Sequence, residues 1–212
     1  MKITELALRE LDFGRSQLVL VGGRPAMGKT AFAVSISLDL AEKGYRLGCF
    51  SLEMHKEQWV NRASKRMNGD IDRVMLLPID IIDNLSFEFK EIESICNSRK
   101  YDVVIIDYIQ LLPRGDGGME DIVKKLKHLA DRLNCPVIVL SQLNREIDKR
   151  ENHKPKIKDL LLNHIDYSYF DKVFLLYREQ YYDESANDSE LIVITKDGEE
   201  KLLWDYNTIS VV

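Results

Sequence analysis

Short apolar runs alternate along this chain with longer stretches of helical period. Gln17-Leu18-Val19-Leu20-Val21 has the pattern of a short buried strand, and Ala31 to Leu38 continues as a helix with few breakers. Arg46 to Leu52 reads as the next strand, His55 to Arg66 as a helix and Leu77 to Ile82 as another short strand. A helix from Phe87 to Ser98 leads into Tyr101-Asp102-Val103-Val104-Ile105-Ile106-Asp107, the most apolar strand of the chain. Asp116 to Asn134 predicts a helix entered through the glycine-rich Pro113 to Gly118, and Pro136 to Leu140 predicts the strand after it. This is the rhythm of βαβ units, so the expected fold class is α/β, with a mostly parallel central sheet and helices on both faces. Toward the C-terminus Lys172 to Tyr177, Leu191 to Thr195 and Lys201 to Trp204 read as strands joined by short acidic or glycine-containing links. An antiparallel edge is expected there. Asn144 to Lys158 is the one long polar connection.

Between the first strand and the first helix lies Gly23-Arg24-Pro25-Ala26-Met27-Gly28-Lys29-Thr30, which fits the phosphate-loop pattern G-x-x-x-x-G-K-[ST] in the place such a loop requires. The glycines let backbone N–H groups curl around a β-phosphate, and the helix that follows points its positive end at the anion. Lys29 then reaches the β- and γ-phosphate oxygens, and the Thr30 hydroxyl is placed to hold Mg²⁺. ATP with Mg²⁺ is therefore the expected cofactor pair. Asp107 ends the aliphatic run Val103 to Ile106 in the Walker B arrangement, a buried strand that delivers one carboxylate beside the metal. Glu53, after the strand Cys49-Phe50-Ser51-Leu52, is either a base for the attacking water or a solvated acid at the start of the next helix. Gln142 ends the next strand, where an amide can touch the γ-phosphate and report its loss.

Composition adds little against this reading. At 212 residues, 45% hydrophobic and 31% charged, the chain suits one α/β domain over residues 1–212. A net charge of −5 argues against an all-over basic coat for nucleic acid, without excluding one basic channel. Cys49, Cys96 and Cys135 form no C-x-x-C pair and are expected to be buried free thiols, and the four histidines lack metal-ligand spacing. No apolar stretch approaches the length of a bilayer span, so no membrane is expected and the compartment is read as cytoplasmic.

The chain resembles the RecA-type ATPase domain of DnaB-like replicative helicases. The likeness is carried by Gly23 to Ala33, by Phe50-Ser51-Leu52-Glu53-Met54, by Ile106-Asp107-Tyr108-Ile109-Gln110-Leu111, by Leu140-Ser141-Gln142-Leu143-Asn144-Arg145 and by Leu176 to Tyr182, in that order. The resemblance implies ATP hydrolysis coupled to 5′-to-3′ movement along single-stranded DNA during replication, with a homo-hexamer or other replication proteins as partners. It places Lys29 and Thr30 on phosphates and metal, Asp107 on the metal, Glu53 as the catalytic carboxylate, Gln142 as the phosphate sensor and Arg62 near the nucleotide.

The sequence also departs from that family. The phosphate loop begins at Gly23, so a single motor domain without the helical N-terminal domain of such proteins is expected, and the segment between Arg62 and Phe87 is shorter than theirs. Where the family pattern reads Asp-Leu-Arg-Glu-Ser-Gly-Ser-Ile-Glu, this chain has Asp159-Leu160-Leu161-Leu162-Asn163-His164-Ile165-Asp166-Tyr167. Where the family has a Lys-Gln-Arg-Asn-Gly finger hairpin, this chain has Thr195-Lys196-Asp197-Gly198-Glu199-Glu200, with Lys196 alone in a comparable place. An arginine finger contributes a factor on the order of 10³ to 10⁵ in turnover, so slow isolated hydrolysis is expected, and a nucleotide-binding switch or loader is the alternative reading. Two segments are candidates for contact with a strand. One is Pro113 to Gly118; the other is Arg145 to Lys158, with Arg145, Lys149, Arg150, Lys154, Lys156 and Lys158. Tyr167, Tyr169 and Phe170 offer rings for base stacking or for packing.

Overall fold

A computed structural model describes residues 11, 15–84, 86–162, 165–185, 189–195 and 198–204. Eight strands form one sheet: β1 Gln17–Gly23, β2 Leu47–Ser51, β3 Ile79–Asp83, β4 Val103–Asp107, β5 Pro136–Gln142, β6 Lys172–Arg178, β7 Ser189–Thr195 and β8 Gly198–Trp204. Their spatial order is β3-β2-β4-β5-β1-β6-β7-β8. The pairings β3·β2, β2·β4, β4·β5, β5·β1 and β1·β6 are parallel, and β6·β7 and β7·β8 are antiparallel, as the change of character in the sequence predicts.

Side-chain alternation explains why both faces are covered. Val19, Val21, Cys49, Val103, Ile105, Ile138 and Leu140 point into one apolar layer, beneath α1 (Lys29–Glu42) and α2 (Lys56–Arg66). Their neighbours Leu18, Leu20, Phe50, Val104, Ile106, Val137 and Val139 point into the other. Two helices cover that second layer. The stripe Met119, Ile122, Val123, Leu126, Leu129 and Ala130 of α5 (Gly118–Leu133) recurs at three- and four-residue spacing and is buried, and α4 (Phe89–Arg99) contributes Ile92 and Cys96. Helix α1 is buried nearly all round, which suits a helix lying in the centre of a layer with its N-terminus at the sheet's crevice. All three cysteines are buried free thiols, as expected.

The structure adds a short α-helix that hydrophobic periodicity does not reveal. A six-residue helix, α3 (Ile71–Leu76), starts at Asp70, whose side chain accepts from the Arg73 N–H at 2.9 Å, after left-handed Asn68 and Gly69. It displaces the start of β3 from Leu77 to Ile79, because Leu77 is its C-cap. Gly48 answers to packing. A Cβ there would lie 2.5 Å from the Tyr101 ring, which lies across β2 with its hydroxyl donating to Asp80 at 2.8 Å.

Candidate active site

The parallel strands bring their C-terminal ends to one edge, and the loop after β1 opens there into α1. Gly28 is the N-cap of α1 with φ 91°, a left-handed conformation that costs glycine little, and Ala26 before it has φ 64°. A cavity of about 560 Å³ lies over this turn. Pro25, Ala26, Gly28, Lys29 and Thr30 line its floor. Glu53 from the end of β2, Arg62 from α2 and Gln142 from the end of β5 line its walls.

Within the loop, the Lys29 ammonium donates to the carbonyls of Gly23 at 2.8 Å and Arg24 at 3.0 Å. Burial lowers its pKa to about 8, against the pull of the Asp107 and Glu53 carboxylates. A desolvated cation resting on its own loop's carbonyls gains most from an incoming anion. Behind it the Thr30 hydroxyl donates to Asp107 Oδ2 at 3.1 Å, while Asp107 Oδ1 is buried without a hydrogen-bond partner. The Leu52 N–H donates to the Asp107 carbonyl at 2.8 Å, which ties the tips of β2 and β4 together.

Burial raises the Asp107 carboxyl to about 6; the Thr30 hydrogen bond opposes the rise and the Glu53 charge adds to it. An unsatisfied, partly protonated buried acid next to a hydroxyl suits a divalent cation, whose charge would return the carboxylate to its ionised form. Among the described residues no group of three or more His, Cys, Asp or Glu side chains could hold a metal by itself. Mg²⁺ fits such a sparse set, because it takes one or two protein ligands and completes its shell with phosphate oxygens and water.

The raised Asp107 pKa has a measurable sign. Because the folded value of about 6 lies above the ordinary 3.8, the unfolded chain ionises first as pH rises, so stability falls between those two values and the full cost of the charge is present above about pH 6. The cost is at most about 3 kcal/mol, since a tenfold change in proton affinity corresponds to about 1.4 kcal/mol. Asp107→Asn keeps an acceptor for Thr30 and carries no charge. Without ligand, it is expected to melt higher than the parent at pH 7.5, by roughly 2–4 °C for each kcal/mol recovered, with the gain vanishing near pH 4. Thermal melts at the two pH values check this, and an equal gain at both would show that the charge is not the cause.

Not every loop residue turns toward the cavity. The Arg24 guanidinium points away, donating to Asp148 at 2.6 and 3.3 Å and to the Leu143 carbonyl at 3.3 Å, so this side chain braces the loop. Its own carbonyl is what faces Lys29. Asp148 also accepts from the Tyr182 hydroxyl at 2.8 Å, and the His153 ring stacks on Tyr182 with centroids 4.1 Å apart. Met27 is buried in the first apolar layer. The cavity has further walls that the sequence reading leaves out: Met54, Gln58 and Arg178. Gln58 stands one helical turn before Arg62 on the same face of α2, a spacing visible in the sequence, and Arg178 ends β6 with its guanidinium donating to the Ala26 carbonyl at 3.2 Å.

The cations of the Arg145 to Lys158 connection are less available than their number suggests. Lys149 pairs with Glu146, Arg150 with the buried Asp159, and Lys154 with Glu190 while lying over the Tyr177 ring. Arg145, Lys156 and Lys158 are exposed, as is Arg114 in the Pro113 to Gly118 segment. Phe170 is buried, and Tyr167 and Tyr169 pack against the second apolar layer, which favours packing over base stacking. Leu160 and Leu162 are buried in the same layer. Asn163, His164, Lys196 and Asp197 lie outside the described residues, so the lysine of the candidate finger hairpin is not placed.

The strand order and the phosphate loop at the tip of β1 define a P-loop α/β protein with a RecA-type sheet. The chain belongs to the DnaB-like helicase C-terminal domain family, whose model matches residues 4–68 and 63–202. It is 32% identical over 225 residues to the replicative DNA helicase DnaB of Geobacillus stearothermophilus, an alignment that takes in 90% of this chain and 49% of that protein. Replicative DNA helicase DnaC of Bacillus subtilis is also 32% identical, with the same coverage of 90% and 49%. The chain thus spans about half the length of these curated relatives. Among solved structures, a DnaB-like replicative helicase described with its interactions with primase superposes with a TM-score of 0.86 at 26% identity, covering 93% of this chain and 59% of that one. A second solved structure, of an ATPase domain, superposes at 0.82, with 26% identity and coverage of 93% and 84%. Among the described residues no helix is long and apolar enough to cross a membrane.

Proposed function

We propose that this chain is the motor domain of an ATP-dependent DNA helicase, which binds ATP with Mg²⁺, hydrolyses it and uses the cycle to move along single-stranded DNA in replication. One observation carries the reading: a single cavity gathers Lys29, Thr30, Glu53, Arg62 and Gln142 from separate elements, with the Asp107 carboxylate directly behind Thr30. In this reading Lys29 neutralises the β- and γ-phosphates, and Thr30 and Asp107 hold the metal, which supplies charge stabilisation to the transferring phosphoryl group. Glu53 orients the attacking water, Gln142 senses the γ-phosphate, and Arg62 and Arg178 add positive charge at the rim. Movement follows the family's direction, 5′ to 3′, in a ring of identical subunits or with other replication proteins, and the cytoplasm is the compartment.

A second reading, a nucleotide-dependent switch or loader without autonomous translocation, draws support from Leu161 and Leu162, which stand where the family pattern carries an arginine and an acid. Leu162 is buried in the core, and Leu161 is an exposed apolar side chain. ATPase rates with and without single-stranded DNA separate the two. The motor predicts turnover raised about tenfold or more by the strand, an increase that fades with added salt as phosphate contacts are screened. Turnover indifferent to DNA, with nucleotide binding intact, favours the switch.

A further inference from the structure

Strands β4 and β5 pair through Ile106 and Val139, but β5 continues to Gln142 while β4 ends at Asp107 and its chain turns into a 3₁₀ turn at Ile109–Leu111. The tip of β5 therefore outruns its neighbour on that side, although on the other side Gln142 still pairs with Gly23 of β1. Gln110, in the turn after β4, fills the gap with its side chain. Its Oε1 accepts the Gln142 N–H at 3.3 Å, and its Nε2 donates to the Ser141 hydroxyl at 2.7 Å and to the Gln142 carbonyl at 3.4 Å. The Ser141 hydroxyl also donates to the Gln142 carbonyl at 3.2 Å, and the Leu161 N–H does so at 3.3 Å, so the Gln110 amide is one of three donors on that carbonyl. The Gln142 N–H is held by Gln110. One primary amide thus presents a donor and an acceptor to one residue's backbone, as a neighbouring strand would.

We infer that Gln110 is a positioning residue for catalysis: it docks the backbone of Gln142 so that the Gln142 side chain meets the γ-phosphate in a fixed geometry. The inference rests on the proposed ATPase reading. It joins the turn after Asp107 mechanically to the sensor strand, so a shift at the metal side of the site reaches Gln142 through two hydrogen bonds, and Gln142 in turn leads into the Asn144 to Lys158 connection. Gln110 itself touches neither phosphate nor metal in this arrangement. Its effect is therefore expected on the chemical step rather than on nucleotide capture, since a loosened sensor costs transition-state interactions more than ground-state ones.

The test uses Gln110→Met, which keeps length and volume and removes both hydrogen-bonding groups, together with Gln142→Ala and the double variant. Expected for Gln110→Met is a fall in kcat of about tenfold, the equivalent of roughly 1.4 kcal/mol, with KM for ATP within about twofold of the parent and with a melting temperature lowered by no more than about 2–4 °C, since the Gln142 N–H loses its acceptor. In the Gln142→Ala background the same change is expected to cost nothing further, because the group it positions is already gone. Full additivity of the two losses, or a KM rise with kcat intact, overturns the inference and leaves a purely structural glutamine. Should the parent not hydrolyse ATP, the ATPase reading fails by itself. The inference is then decided by the NMR signal of the Gln142 side-chain amide: a shift on adding a non-hydrolysable ATP analogue to the parent that is lost in Gln110→Met, with the Kd of the analogue within about twofold, supports it, and the same shift in both proteins overturns it.

Discussion

Replacing Lys29 with alanine is expected to remove both ATP hydrolysis and the thermal stabilisation that Mg²⁺-ATP confers. The lysine is the cation at the floor of the cavity, and its ammonium is already stripped of much of its water, with a pKa drawn down to about 8. A triphosphate arriving over the loop sets its negative charge directly against this desolvated ammonium, so a large share of the binding free energy passes through one side chain. For the parent, nucleotide at a hundredfold excess over Kd contributes about 2.7 kcal/mol. For a chain of this length that is a rise in Tm of roughly 5–10 °C. The variant loses the ligand-dependent rise, and its turnover falls by about 10² or more, as for removal of a group aimed at developing charge. The ligand-free melt of the variant beside that of the parent serves as the control, because Lys29→Ala leaves the Gly23 and Arg24 carbonyls without this donor. Equal nucleotide-induced shifts in parent and variant would sink the assignment of this loop as the phosphate site.

The phosphate loop is legible in the sequence because its chemistry is local: Gly23 to Thr30 are contiguous, and the strand and helix that flank them have strong apolar periods. Asp107 is visible for the same reason, as a lone acid ending four buried aliphatic residues, Val103 to Ile106. What escapes the sequence depends on pairings across the fold. Arg24 belongs to the loop motif, yet its guanidinium is claimed by Asp148, 124 positions away. Arg178 enters the cavity because β6 lies beside β1, an adjacency that no spacing in the chain reveals. The basic connection has the composition of a strand-binding surface, but Arg150 and Lys154 are paired with Asp159 and Glu190, acids whose approach only the fold brings about. Helix α3 goes unseen because six residues are too few to display a period, although Asp70 at its N-cap is a usable signal. The antiparallel C-terminal edge, by contrast, follows from strand runs too closely spaced to admit crossover helices.

Substituting Glu53 with glutamine is expected to separate binding from chemistry. The residue follows Leu52, whose N–H is held by the Asp107 carbonyl, and it lies in a turn that the Ser51 hydroxyl closes by donating to the Met54 carbonyl. The backbone beneath Glu53 is therefore pinned to the metal-side strand, while its carboxylate stands at the exposed wall of the cavity, open to water. That combination suits a group that must hold a solvent molecule in line with a phosphoryl group: fixed at its root and wet at its tip. Glutamine preserves the length and one acceptor oxygen and cannot take a proton. ATP and its thermal shift should be retained within about twofold in Kd, while kcat falls by about 10² to 10⁴, the usual worth of a positioned base. Loss of one negative charge near Lys29 and Asp107 even favours the bound anion slightly, because Glu53 lies close enough to both to shift their titration. The decisive measurement is single-turnover hydrolysis at saturating ATP. A variant that turns over as fast as the parent would mean that the water is oriented from another wall of the cavity, with Gln58 and Gln142 the nearest alternatives among its lining residues.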